Sequence, residues 1–165
     1  QVDVAVSELG VASGIAFDAD GALFVGDRSG TIFRVDGAGH TAAHASLPAS
    51  IAAYHLAAGP DGALYVTAPT LSSSDALYRV DAAGAVEVMR VGFGRPQGLA
   101  FDPHGTLHVV DALAGAAGLY AVTRNAPARL VLAAPALIGV AFGADGAVVV
   151  ASNDTAYRLM PPAGR

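Results

Sequence analysis

The chain has 165 residues, 53% of them hydrophobic and only 14% charged, which suits one domain over 1–165 with a real core and excludes a disordered chain. Its formal net charge is −5, and its nine basic residues, all arginine, are scattered without a basic run; nucleic acid and anionic membranes are therefore poor partners. The absence of cysteine rules out disulfides and thiolate metal sites. In chain order, an alternating segment, Val2 to Val6, comes first and reads as an isolated strand. A unit that occurs four times follows: GIAFDADGALFVGD (14–27), HLAAGPDGALYVTA (55–68), GLAFDPHGTLHVVD (98–111) and GVAFGADGAVVVAS (139–152). Its turn glycines, Gly21, Gly62, Gly105 and Gly146, are spaced 41, 43 and 41 residues apart. Short strands at a fixed period near 40 residues predict the blades of a β-propeller.

Each repeat predicts four strands. In the first, Ile15 to Phe17 leads through the Asp20-Gly21 turn to Ala22–Gly26, then Thr31–Val35, then a variable outer stretch, Thr41–Ser46. The later outer stretches are Val86–Val91 and Arg129–Ala133. Glycine in each turn supplies a positive φ without strain, so Asp20, Asp61 and Asp145, with His104 in the same slot, read as turn residues. The small residues Ala16, Ala57, Ala100 and Ala141 let inner strands crowd around an axis. The column Phe24, Tyr65, His108 and Val149 reads as packing between blades. Pro135 and two glycines interrupt the longest apolar run, 130–144, which is too short for a spanning helix, so no transmembrane segment is expected.

The last repeat reads as ending after its third strand, at Met160. The fold predicted is all-β, a propeller of four four-stranded antiparallel blades, with strand 2–6 closing the last blade. The alternative is part of a larger propeller, completed by further sequence or by another chain, which makes an oligomer an expectation in that case. The chain opens on Gln1 rather than Met, as a periplasmic or secreted protein would after leader cleavage, or a trimmed chain would.

The stretches SGIAFDADGALFVGDRSGTIFRVD, GPDGALYVTAPTLSSSDALYRVDAAGAVEVMRVGFGRPQGLAFD and LIGVAFGADGAVVVASNDTAYRL resemble the SMP-30/gluconolactonase/NHL-type propellers over nearly the whole chain. That resemblance implies six blades in the usual member. It also implies, in the family's enzymes, one divalent metal on the axis, often Ca²⁺, held by Glu, two Asn and Asp at the start of the inner strands. The corresponding positions here are Ser13, Tyr54, Gln97 and Ile138. Only Gln97, in Arg95-Pro96-Gln97-Gly98, keeps an amide oxygen where the family's Pro-Asn-Gly has Asn. No carboxylate fills any of the four, whereas a Ca²⁺ site needs several oxygens with negative charge.

Two functions follow. The first is a non-catalytic module that binds a small molecule or a protein at a propeller face, with Tyr54, His55, Arg95, Gln97 and Asp111 as the candidate ligand-binding residues on the axis face and no metal. His55 stands where the other repeats have glycine. The second is a divalent-metal-dependent lactone or ester hydrolase with a rearranged or partner-completed site, whose oxygen donors would be Gln97, Asp111 and Glu8. Asp27 and Asp111, ending the second strands of repeats one and three, also read as loop residues capping backbone N–H groups. Two longer loops, 70–75 and 113–118, are places for recognition on a rigid scaffold.

Overall fold

A computed structural model of the chain describes residues 2–112 and 117–160. The described residues are all-β, with fifteen strands in four antiparallel sheets. Blade 1 is β1 (Ala12–Phe17), β2 (Leu23–Asp27), β3 (Thr31–Val35) and β4 (Thr41–Ser46). Blade 2 is β5 (His55–Ala58), β6 (Leu64–Thr67), β7 (Asp75–Val80) and β8 (Val86–Phe93). Blade 3 is β9 (Pro96–Phe101), β10 (Leu107–Asp111), β11 (Gly118–Val122) and β12 (Arg129–Ala133). Blade 4 is β13 (Gly139–Phe142), β14 (Val148–Ala151) and β15 (Ala156–Leu159). The repeat therefore folds into propeller blades as its period predicts. No helix among the described residues is long and apolar enough to cross a membrane.

The turn between the first two strands shows why the repeat needs its glycine. Gly21 N–H donates to Asp18 O and Asp18 N–H to Ala22 O, closing a three-residue loop, 19–21, rather than the two-residue one that Asp-Gly suggests. Gly21 sits at φ 83°, in the left-handed region that other residues enter at a cost. The turn acids have the structural role expected of them. Asp61 Oδ1 accepts from Ala63 N–H and Asp145 Oδ1 from Ala147 N–H. Both also pair with an arginine across the blade, Asp61 with Arg79 at 2.7 Å and Asp145 with Arg158 at 3.2 Å.

The core lies between blades, not within them. Ala22, Phe24 and Ile32 of blade 1 meet Leu56, Leu64, Val66 and Val80 of blade 2. The same faces meet again between blades 2 and 3, where Tyr65 and Leu77 pack on Leu99, Val109 and Val122, and between blades 3 and 4. The aromatic column does what its recurrence predicts. Phe24 packs with Leu56, Leu64 and Val80 of blade 2, Tyr65 edge-on to Phe101 of blade 3, and the His108 ring 4.8 Å from that of Phe142 in blade 4.

The inner strands pack in sequence, β1 on β5, β5 on β9 and β9 on β13, and no comparable packing joins β13 to β1. The closing strand expected at the N-terminus does not form. Residues 2–6 make no strand and do not complete blade 4, whose β15 pairs only with β14 among the described strands. The reason is geometric: Val6 and Leu9 pack against Val25, Val35 and Phe33 on the outer face of blade 1, at the opposite end of the arc from β15.

Candidate functional site

The four inner strands converge on a cleft of about 440 Å³ at the axis, lined from every blade by Ser13–Ile15, Tyr54–Leu56, Gly98–Leu99, Ile138–Val140 and Ala151. Its volume lies in the range of small-molecule sites. Of the lining side chains only His55 is titratable below pH 9, so the wall is otherwise uncharged.

The positions just before each repeat stitch neighbouring blades together. Tyr54 N–H donates to Ser13 Oγ at 3.0 Å, joining blades 1 and 2. Thr67 Oγ1 donates to Gln97 O at 2.6 Å, joining blades 2 and 3. Gly98 N–H donates to Ile138 O at 3.0 Å, joining blades 3 and 4. Close approach demands glycine on the facing strand: a Cβ on Gly14 would stand 2.2 Å from Tyr54 O, and one on Gly98 2.8 Å from Ile138 O.

The five candidate residues are placed as follows. Tyr54 presents its backbone to the cleft and buries its ring completely; its hydroxyl donates to Pro48 O. Burial pushes its pKa up to about 12, with smaller contributions from Tyr78 and Asp27. His55 opens β5 beside it. Its Nε2 is buried and has no hydrogen-bond partner. Burial pulls the imidazole below its ordinary pKa, opposed by a hydrogen bond with the Gln97 side chain, so it is neutral at pH 7. Gln97 belongs to β9 and spends its backbone carbonyl on Thr67.

Arg95 and Asp111 lie one step outside the cleft. Asp111, 1% exposed, accepts from Gly94 N–H at 2.9 Å and Arg95 N–H at 2.8 Å. It clamps the loop that leads into β9. Asp27 does the same for blade 1, accepting from Val11 N–H at 2.8 Å, and the Ser29 hydroxyl, before the backbone donors, keeps its pKa low against the effect of burial. The capping role expected of these two acids is the one observed. Glu8 is exposed on the N-terminal segment at φ 64°. Among the described residues, no three His, Cys, Asp or Glu side chains gather as a metal site would require. Of the two recognition loops, 70–75 is tied down by Asp75, which accepts from the Thr70 hydroxyl and N–H; residues 113–116 of the other lie outside the described residues.

Sequence reasoning did not find the stitching role of Ser13 and Thr67. Its only signal was a hydroxyl facing the axis at a position where the other blades carry a different residue.

This geometry has counterparts among known proteins. The family model described as strictosidine synthase-like, N-terminal, matches residues 14–35. No curated protein matches. A gluconolactonase of Xanthomonas campestris superposes with a TM-score of 0.75 at 21% identity, covering 94% of this chain and 60% of that one. A catalytically inactive virginiamycin B lyase from Staphylococcus aureus, solved with quinupristin, gives 0.72 at 17%, covering 94% and 54%. The calcium-binding protein regucalcin of Agrobacterium tumefaciens gives 0.67 at 21%, covering 86% and 53%. The fold is that of these propellers. The chain spans a little over half the length of each of them.

Proposed function

We propose that the chain is a non-catalytic propeller module whose axis cleft binds a small, uncharged, largely apolar molecule through His55. The observation that carries this reading is the buried, unpartnered Nε2 of His55. A buried polar atom left unpaired costs about 1–3 kcal/mol, and a ligand hydroxyl, amide or carbonyl opposite it removes that cost. Leu56, Leu99, Ile138 and Val140 supply apolar wall around this one polar point, the usual composition of a small-molecule site. A neutral wall favours a neutral ligand, because a charge transferred there would lose its hydration unpaired.

The metal that the gluconolactonase resemblance implies does not fit the donors at these positions. Ser13 Oγ is engaged by Tyr54 N–H, the Tyr54 hydroxyl is turned away to Pro48, and Ile138 has no donor. Gln97 alone offers an amide oxygen, while both Asp111 oxygens hold backbone N–H groups. Hard-cation sites need more oxygens and more charge than this set supplies.

The test is a screen of neutral small molecules by ligand-observed NMR, with the His55 imidazole resonances as the site reporter. Binders are expected to shift those resonances and to lose at least about tenfold in affinity in His55→Gly, which restores the residue of the other three repeats. Binders indifferent to that substitution would overturn the reading. So would stoichiometric Ca²⁺ binding accompanied by lactone hydrolysis, both lost on Gln97→Ala.

A further inference from the structure

The junction between blades 1 and 2 lacks a ring that the next two junctions have. The inner strands end on Phe17, Ala58, Phe101 and Phe142. Phe101 and Phe142 each lie against a ring presented by the preceding blade, Tyr65 at 5.1 Å and His108 at 4.8 Å between centroids. Phe24 presents the corresponding ring to blade 2, but Ala58 stands at the matching position. The ring partner of Phe24 among the described residues is instead His44, from the outer strand of its own blade, edge-on at 5.1 Å. A groove of about 580 Å³ opens at this point, lined at its apolar end by Phe24, Ala58, Leu64 and Val80. It shares no lining residue with the axis cleft.

The same junction also lacks an ion pair. Arg34, Arg79 and Arg158 hold one register position, opposite Phe24, Tyr65 and Val149. Arg79 and Arg158 are taken up by the turn acids of their own blades, Asp61 and Asp145. In blade 2 the Tyr65 hydroxyl also donates to Asp61 and helps to hold it over the arginine. Phe24 has no hydroxyl to offer Asp20. Neither the Arg34 guanidinium nor the Asp20 carboxylate has a hydrogen-bond or ion-pair partner among the described residues, and both line the groove. The carboxylates of Asp18 and Asp81 and the His44 ring complete its titratable lining.

We propose that this groove is a further binding site, for an aromatic amino acid whose ring lies on Phe24 beside Ala58, with its carboxylate on Arg34 and its ammonium among Asp18, Asp20 and Asp81. The ring takes the space that a phenylalanine of the next blade fills at the other two junctions, where apolar walls favour an apolar group over water. An edge-to-face contact with Phe24 adds to the burial. An arginine with no carboxylate of its own is a fork for the ligand's carboxylate. The surplus of acidic groups around it selects a ligand that also carries a positive charge.

Isothermal titration calorimetry with L-phenylalanine tests the site. Saturable binding is expected, and phenethylamine and 3-phenylpropionate, each lacking one of the two charges, should bind at least about tenfold more weakly. Ala58→Phe restores the residue of the other repeats; it should abolish binding and leave the thermal midpoint unchanged or raised. Arg34→Gln should weaken phenylalanine binding about tenfold and leave phenethylamine binding unchanged. Since Arg34 holds no partner in the fold, this variant decides the matter even if Ala58→Phe does not fold. His55→Gly should leave phenylalanine binding as it is, so that failure here and failure of the axis reading are told apart. Absence of saturation by phenylalanine below about 10 mM would overturn the inference. So would binding that survives Ala58→Phe, binding indifferent to Arg34→Gln, 3-phenylpropionate or phenethylamine binding as tightly as phenylalanine, or loss of binding in His55→Gly, which would move the ligand to the axis.

Discussion

Two neighbouring junctions of this propeller use the same repeat positions in opposite ways. Between blades 1 and 2 the paired strands β1 and β2 carry Gly14 and Gly26 opposite each other, and Tyr54 fills the space they leave; Cβ atoms there would stand 2.2 Å from Tyr54 O and 2.8 Å from Tyr54 Cβ. The tyrosine is fully buried and its hydroxyl is satisfied by Pro48 O. Between blades 2 and 3 the position of Gly14 is held by His55 and that of Gly26 by Thr67, two residues paired across β5 and β6. The hydroxyl of Thr67 completes the stitch to Gln97, while the imidazole keeps an unpaired buried nitrogen. One junction is closed at the axis by a side chain with all its polar atoms used. The other carries a polar group in excess of what the junction needs, and the proposed ligand would pair with it.

The sharpest way to break this comparison is to fill the first junction. Gly14→Val places branched carbon against a backbone carbonyl that cannot move aside without shifting β5. Its expected cost is about 3 kcal/mol or more, read as loss of cooperative unfolding or a fall in denaturation midpoint. The corresponding change in the second junction is milder. Thr67→Val removes only the hydroxyl and leaves Gln97 O without its donor, a loss of about 1 kcal/mol measured by urea denaturation. If Thr67→Val proved as damaging as Gly14→Val, the two junctions would be equally tight at the axis and the contrast between them would fail.

The sequence carried the part of this fold that local rules impose. The turn glycines are legible because only a left-handed φ closes those turns, and the column of Phe24, Tyr65 and His108 because blade packing repeats with the chain. The functions of Asp27 and Asp111 were readable as caps, since a carboxylate at a strand end has backbone donors in reach. That residues 2–6 lead onto blade 1 instead of closing blade 4 was not readable. It depends on the angle between successive blades, a sum of many small packing preferences that no single residue encodes. The axis positions were legible as positions, but Tyr54 was not legible as a plug. Its ring turns inward because Gly14 and Gly26, far away in sequence, leave it room.

The smallest expected effect concerns His55 alone and separates the two junctions by pH. In the unfolded chain its imidazole titrates near 6.5; in the folded protein burial holds its pKa lower, with Gln97 opposing only in part. Above about pH 6.5 both states are neutral and His55 contributes no pH dependence. As pH falls below that value the unfolded state takes up a proton that the folded state refuses, so stability declines with falling pH. His108, also lowered chiefly by burial between blades 3 and 4, adds a slope of the same sign. The midpoint temperature of the unmodified chain should therefore drop between pH 7 and pH 5. His55→Gly should flatten that profile without abolishing it, because His108 remains. The residue that fills the first junction at the axis, Tyr54, responds only near pH 12. A profile unchanged by His55→Gly would mean that the imidazole accepts its proton as easily folded as unfolded. Its nitrogen would then be in contact with water, and the axis cleft would lose the one polar feature that distinguishes it.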